Sequence, residues 1–497
     1  MDLFEILLAK KLGGNGGGGI TPSGTKDITA NGNDIDVYSY AKVNVNVPNP
    51  STGKVNITTT SEVNVTDYAT AQVVDSDLIA SNIKKDVNIL GVVGTYEGGG
   101  GGGSVEEKDV NFYDYDGTLL YSYTARDFAN LSAMPRNPSH TGLTAKGWNW
   151  TLADAKTHVS TYGWLDIGQM YDTDDGSTRF YITLDDDSQL DYRLIFSNSE
   201  NQCTIDWGDG TIETASTSTP KTHTYQAKGS YTIKLSGTYT FSTASGQNIF
   251  GSSAYSYLYR TIKKIELGTS PSAINLAFSS LYGLTTMTLG SKISQIGYST
   301  YGGLRDCYNL SFVVVPNTVS SLMDYAFGGC NNLKLVCLPK YTSQGKYIFH
   351  QCYTLRRVTL YSLYQYTCTS AYSLEKATTR SYVQDTGAGG LQYCRNLIHF
   401  NINPNITTIG STVFQYCSSL RSITIPASVT TIGANALRST GIKEIHMLPT
   451  TPPTIQSSTF NSLLWSTGVI FYVPTASLDT YKSEQYWSTY ANQMVGE

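Results

Sequence analysis

Charge is scarce in this chain. Asp, Glu, Lys and Arg make up 15% of its 497 residues, against about 25% in typical soluble proteins. The formal net charge is −5, so the surface has to be built from Ser, Thr, Asn, Gly and Tyr. There is no run of Lys or Arg and no basic stripe, which removes the electrostatic footprint of a nucleic-acid binder. No apolar run approaches the length of a membrane span, so membrane insertion is not expected. The opening Met1-Asp-Leu-Phe-Glu-Ile-Leu-Leu-Ala-Lys-Lys puts acids first and lysines last, the reverse of a secretory leader. No export signal is therefore expected, and the thiols are expected to be reduced.

Catalytic signatures are missing as well. The six histidines (His140, His158, His223, His350, His399 and His446) form no His-Glu-x-x-His motif. Neither a Gly-x-Ser-x-Gly elbow nor a Cys-x-x-Cys pair is present. The polyglycine tracts lack the lysine and the strand–turn–helix setting of a phosphate-binding loop. Few carboxylates are available for glycosidase work. No enzymatic activity, cofactor or metal is expected. The acidic residues Asp206 and Asp209 read as turn chemistry because their spacing is not that of a calcium loop.

What the chain does have is repetition. Between Tyr255 and Met447 the pattern Leu-x-x-Ile/Val-x-Leu/Ile recurs, most clearly in Phe327-Gly-Gly-Cys330-Asn-Asn-Leu333-Lys-Leu-Val336-Cys-Leu338-Pro339 and Phe414-Gln-Tyr-Cys417-Ser-Ser-Leu420-Arg-Ser-Ile423-Thr-Ile425-Pro426. The central apolar residues are Ile265, Met287, Val313, Val336, Val358, Ala377, Phe400, Ile423 and Ile445, spaced by 22, 26, 23, 22, 19, 23, 23 and 22. A period of 20–29 residues means a solenoid in which each coil buries a face on the next. The alternation is that of a strand, with the central residue and the one two positions on facing the core. A second extended piece recurs as Val319–Leu322, Ile406–Ile409 and Val429–Ile432. A cysteine recurs at Cys307, Cys330, Cys352, Cys394 and Cys417, with Ala371 in its place once, as a compact hydrophobe would.

This region resembles the bacterial surface-antigen (BspA-type) class of leucine-rich repeat. The resemblance rests on Ile409-Gly410-x-x-Val413-Phe414-x-x-Cys417-x-x-Leu420-x-x-Ile423-x-Ile425-Pro426 and its relatives, and on a closing segment from Pro452-Pro453 through Phe471-Tyr-Val-Pro474 to Tyr490. The class implies a solenoid and hosts adhesins, interaction modules and virion parts. Residues 24–97 carry a 28-residue repeat, Asp36 to Val45 returning as Asn64 to Val73. With the terminal helix and the glycine tracts, this stretch resembles the N-terminal modules of phage tail and fibre proteins. Ile205-Asp-Trp207-Gly-Asp209-Gly-Thr with His223-Thr-Tyr225 resembles a polycystic-kidney-disease (PKD) type sandwich domain.

The expected fold is mainly β and multi-domain. An anchor helix and glycine linker (1–23) precede small β modules (24–97), a polyglycine linker (98–104) and a small α+β module (105–177). A PKD-like β-sandwich (178–240), the leucine-rich-repeat β-solenoid (241–450) and a C-terminal cap (451–497) follow. In the α+β module, Thr151 caps a helix, and Trp148 and Trp150 serve either core packing or a sugar. Leu3, Phe4, Ile6 and Leu7 form the apolar stripe of the anchor, which is too short to be stable alone.

Two surface sites are expected on the solenoid. The side chains facing away from its core are mostly polar, but Phe312, Val314, Leu335 and Cys337 on adjacent rungs form an apolar patch. Such patches mark contacts, here with another subunit, the sandwich or a loop, unless a register shift turns them inward. Tyr361, Tyr364, Tyr366, Tyr372 and Tyr382 cluster around the degenerate rung at Ala377 and suit a host-ligand surface, since tyrosine combines apolar area with a hydroxyl. The functional expectation is a virion adhesin of the tail-fibre kind. It would join phage particle proteins through its N-terminus, form a homo-oligomer (a trimer favoured) and bind a host surface glycan or protein. The alternatives are a head or tail decoration protein without a receptor, a bacterial cell-surface adhesin and a glycan depolymerase.

Overall fold

The computed structural model describes residues 106–497, apart from 189, 197–202, 216–219, 242–248, 251–252, 272, 275–277, 298–301, 341, 380–384, 387 and 461–467. Before residue 106 it describes only short strands. Leu3, Phe4, Ile6 and Leu7 lie outside the described residues, as does Tyr382. The chain divides into two compact units, Met1–Glu107 with Leu119–Ser122, and Lys108–Thr118 with Tyr123–Glu497.

In the first unit Thr25–Ile28 pairs in parallel with Lys42–Val45, and Lys54–Ile57 with Thr70–Val73. The second strands of the two pairs begin at Lys42 and Thr70, at equivalent places in the two copies of the sequence repeat. Asn88–Ile89 and Val92–Val93 pair antiparallel.

The second unit is mainly β, and its C-terminal half is a β-solenoid of about nine turns. Parallel strands stack from Ile262–Glu266 through Thr286–Thr288, Phe312–Val314, Leu335–Cys337, Arg357–Leu360 and Lys376–Thr379 to His399–Asn401. Ser422–Ile425 and Glu444–Met447 continue the stack. The central residue of each rung and the residue two positions on lie in the core, as the alternation requires: Ile265 with Leu267, Val336 with Leu338, Ile423 with Ile425. The second extended pieces form narrower parallel ladders, including Ser321–Leu322 and Thr431–Ile432.

Both ends of the solenoid are closed by sheet extension. Thr178–Leu184 pairs antiparallel with Gly229–Gly237 on one edge and with Ile262–Glu266 on the other. The sheet of the 178–240 region therefore runs without a break into the first rung. At the far end Ile470–Val473 and Met494–Gly496 add two further parallel strands. Trp487 and Tyr481 are fully buried there, Trp487 on Phe460 and Phe471 and Tyr481 edge-on to Trp487. An open last rung would expose apolar side chains and a long strand edge; these segments cover the side chains and leave as edge only the three-residue strand Met494–Gly496.

The acidic residues of 178–240 shape turns. Asp206 accepts from the Gly208 amide at 2.9 Å. Asp209 accepts from Thr211 N at 2.9 Å and contacts His223 Nε2 at 2.7 Å. The His223 ring lies flat on Trp207, with centroids 4.9 Å apart.

The cysteine column is more than small-residue packing. Each thiol donates to a carbonyl one coil back: Cys307 to Phe278 at 3.2 Å, Cys330 to Leu304 at 3.0 Å, Cys352 to Phe327 at 3.2 Å, Cys394 to Cys368 at 3.2 Å and Cys417 to Leu391 at 3.2 Å. In the last turn Thr459 Oγ1, at a different position of the coil, donates to Ile432 O at 3.3 Å. The weak S–H donor adds a second bond to a carbonyl that, in most of these coils, already accepts a turn amide. All eight cysteines are free and buried. Burial pushes the Cys203 thiol up to about 11 and Cys307 to about 12, and raises Cys330, Cys337, Cys352 and Cys394 well above the ordinary value. Because the thiolate is the reactive form, a thiol-exchange reagent at neutral pH is expected to label none of the eight in the folded chain and all of them in guanidinium. Rapid labelling of the native protein would show that the coils open.

Candidate functional site

The strand face turned away from the solenoid core is the usual place to seek a binding surface on a repeat protein. Here most of it is occupied. Phe312, Val314, Leu335 and Cys337 are 5%, 5%, 9% and 0% exposed. The one-residue slip that would have turned them into the core does not occur, since Val313 and Val336 hold the core positions. Their cover is not another subunit, the sandwich or a loop, as expected. It is the α+β module of the same chain, residues 108–118 and 123–177.

The module presents a mixed sheet to the solenoid. Leu165–Thr173 is its central strand, parallel to Val110–Tyr113 and antiparallel to Leu143–Trp148. The helix Leu152–Tyr162, with Thr151 capping its start and Gly163 in the left-handed conformation at its end, also touches the solenoid, through Asp154 to Lys340 and Tyr162 O to Asn401. Gly168 lies so close to the solenoid that a Cβ there would meet both Val314 methyls at 2.5 Å. Tyr113 packs on Phe312 with ring centroids 5.7 Å apart.

Polar groups lock the contact. Asn149 Nδ2 donates to the carbonyls of Val315 (3.1 Å) and Cys337 (2.9 Å), while its Oδ1 accepts from Gly168 N at 3.0 Å. Trp150 Nε1 donates to Leu338 O at 2.8 Å. Trp148 and Trp150 are thus core residues, 6% and 4% exposed. Arg357, from the next rung, reaches Asp166 Oδ1 at 2.9 Å and the Tyr113 hydroxyl at 3.0 Å. At the other edge Ser291 and Lys146 hold Asp172. Glu266, expected on an open polar face, is 3% exposed and takes Lys264 at 2.7 Å, the Tyr181 hydroxyl at 2.9 Å and Arg179 at 3.3 Å.

The cover ends at Asn401, whose Nδ2 reaches Tyr162 O at 3.4 Å. On the strands that follow, Ser422, Thr424 and Glu444 are exposed. His446 lies flat on Tyr472, with centroids 4.7 Å apart, and contacts Glu497 at 3.0 Å. Among the described residues no group of three or more His, Cys, Asp or Glu is placed to hold a metal, and no helix is long and apolar enough to cross a membrane.

The turn edge of the solenoid carries a different feature, stacked tyrosines in register with the coils. Tyr325 stacks on Tyr347 at 4.6 Å and 1°, and Tyr347 on Tyr366 at 5.0 Å and 17°. Arg305 lies 4.8 Å over Tyr325. Further stacks are Tyr282–Tyr308 at 4.9 Å, Tyr353–Tyr372 at 5.2 Å and Tyr393–Tyr416 at 4.8 Å. These spacings follow the strand-to-strand repeat of about 4.8 Å, one ring per coil. Each aromatic pair contributes about 0.5–1.5 kcal/mol beyond its area.

The same turns hold left-handed backbone at non-glycine residues, including Tyr325 (φ 58°), Tyr347 (58°), Tyr366 (57°), Tyr393 (65°) and Tyr416 (65°). That conformation costs about 1–2 kcal/mol per residue, and the stacking offsets part of it. The column was readable in advance, because Tyr325, Tyr347 and Tyr366 recur in step with the rungs at Val336, Val358 and Ala377.

The tyrosines singled out from sequence do not form one patch. Tyr366 belongs to the Tyr325 stack, and Tyr372, 41% exposed, to the Tyr353 stack with Arg395 5.4 Å away. Tyr364 is 38% exposed on a turn whose carbonyl accepts from Thr367 at 2.8 Å, and Tyr361 is half-buried.

Six copies of the BspA type leucine rich repeat region are matched by family comparison over residues 248–376 and 359–464. Residues 248–464 are a BspA-type leucine-rich repeat region. The match does not reach residues 1–240, so the phage-type and PKD-like resemblances gain nothing from it. Among curated proteins none matches the chain. Several solved structures are similar to the repeat region. A leucine-rich repeat protein from Bacteroides ovatus is 17% identical, covering 46% of this chain and 76% of that one, with a TM-score of 0.25. A leucine rich cell surface protein from Faecalibacterium prausnitzii is 16% identical, covering 42% and 78%, with a TM-score of 0.23. The pneumococcal vaccine antigen PcpA is 13% identical, covering 46% and 79%, with a TM-score of 0.26.

The buried patch makes a direct prediction. Phe312→Glu with Leu335→Glu is expected to detach the module, lower the melting temperature and open residues 123–177 to limited proteolysis. An unchanged melting curve would mean that the module does not depend on this face. Asp166→Ala leaves Arg357 charged and buried, and is expected to cost about 3–5 kcal/mol in urea unfolding.

Proposed function

We propose that this chain is a surface-displayed adhesin that recognises its target through the tyrosine-laddered turn edge of the repeat, without catalysis. One observation carries this reading: the strand face is roofed over by the chain's own module, while the turn edge keeps regularly spaced, partly exposed tyrosines. Rigid aromatic side chains on a fixed scaffold supply contact area at low entropic cost. Many such contacts, repeated along the solenoid and across copies, add avidity.

The BspA-type match supports a bacterial cell-surface adhesin over the tail-fibre reading. A virion adhesin with Leu3, Phe4, Ile6 and Leu7 as its anchor, assembled as a trimer, draws its support from the N-terminal sequence resemblance alone. In both settings the target is a surface glycan or protein, and the repeat is the binding body.

The test is binding of the full-length chain to arrays of surface glycans and extracellular-matrix proteins. Tyr347→Asn with Tyr366→Asn, and Tyr393→Asn with Tyr416→Asn, remove the rings but keep a residue that tolerates left-handed backbone. Each pair is expected to weaken binding by about tenfold or more, equivalent to about 1.4 kcal/mol, with the fold retained by circular dichroism. Undiminished binding by both pairs would rule out the turn edge as the recognition surface.

A further inference from the structure

An open cleft of about 520 Å³ lies where the acidic loop after Thr178–Leu184 meets the segment before the first rung. Its lining includes Asp185, Asp186, Tyr257, Arg260, Thr261 and Tyr282. The volume falls in the range of small-molecule sites, about 300–1,000 Å³.

The aromatic part of the wall is fixed in place. Tyr282 lies flat on Tyr308, with centroids 4.9 Å apart and planes within 2°, and Tyr259 meets it edge-on at 5.7 Å. The Tyr257 hydroxyl donates to Asp191 O at 2.6 Å. The charged part is uncommitted. Arg260 and Asp185 are exposed, and among the described residues neither has an ion-pair partner. Asp186 uses Oδ1 to hold Ser188 N at 2.8 Å and Ser188 Oγ at 2.7 Å, which sets the shape of the loop.

We propose that this cleft binds a neutral oligosaccharide. A sugar hydroxyl both donates and accepts, so adjacent hydroxyls can accept from the guanidinium of Arg260 and donate to the carboxylate of Asp185. The C–H face of a pyranose ring suits an aromatic wall such as Tyr282. Net charge selects against the alternatives. Asp185 and Asp186 repel an anionic glycan, and Arg260 opposes a simple cation. The rigid stacking of Tyr282 on Tyr308 means that little ordering is required on binding. The cleft shares Tyr282 with the turn edge but no residue with the Tyr347–Tyr366 and Tyr393–Tyr416 stacks, so the variants that test those stacks leave the cleft intact.

The experiment uses the full chain with maltotriose, chitotriose, lactose and xylotriose, and with sialyllactose as the charged arm. Saturation-transfer NMR detects contact and calorimetric titration gives affinity. The expected result is saturable binding of at least one neutral sugar and none of sialyllactose. Arg260→Gln and Tyr282→Ala should each weaken that binding by about tenfold or more. Asp185→Asn, at an exposed loop position that leaves packing untouched, should weaken it as well. The control Glu484→Gln, exposed on the C-terminal cap, should bind like the parent. Failure of every neutral sugar to bind, preference for sialyllactose, or full affinity in the Arg260 and Asp185 variants would overturn the proposal.

Discussion

A parallel sheet is stable when both of its faces are covered, and that constraint organises this molecule. The solenoid covers one face with its own interior. The other face would lie open along the whole stack, with Phe312, Val314, Leu335 and Cys337 in the middle of it. The module before the 178–240 region supplies the second layer. Asn149 is the closest expression of the arrangement: its amide donors go to two solenoid carbonyls, and its oxygen takes an amide of the module's own central strand. The 178–240 region, the solenoid and the cap share one hydrophobic core, and the module packs against it as a second layer.

The roof has consequences for recognition. In an uncovered repeat the strand face is the largest regular surface available. Here it is open only beyond Asn401, where the exposed residues are polar. What remains regular and accessible is the turn edge. Tyrosine ladders arise there because each coil places the same turn position about 4.8 Å above the last. A ring that stacks in one coil therefore stacks in the next. The stacking also helps to hold left-handed backbone at non-glycine residues, conformations that persist only where the surroundings over-determine them.

The interior follows the same logic of one answer repeated. A thiol is small enough for the tight position beside the turn, and its weak donor gives a second partner to carbonyls such as Phe327 O and Leu391 O, which already accept a turn amide. Placing the same residue in successive coils links them by a line of S–H bonds parallel to the backbone ladders. Where the column breaks, at Ala371, the site is filled without that bond. The neighbouring rung is the one with the shortest spacing and the central alanine.

The solenoid, its rung positions, its inward residues and its closing segment were legible in the sequence because they rest on periodicity. A near-constant repeat with strand alternation inside it admits one stacking direction and one buried face. Thr151 as a helix cap and the turn roles of Asp206 and Asp209 were legible for a similar reason, being local chemistry. What covers the outward face was not legible. The apolar side chains of Phe312, Val314, Leu335 and Cys337 announce that something lies on them. That something is built from Tyr113, Asn149, Trp150 and Gly168, far earlier in the chain, and no periodic signal spans that distance. Sequence also proposed a tyrosine patch from nearness along the chain, whereas the coils sort those residues by position within the turn and send Tyr366 and Tyr372 to separate stacks. Periodicity determined the scaffold. The long-range packing of one layer on another decided which of its surfaces is left to meet a partner.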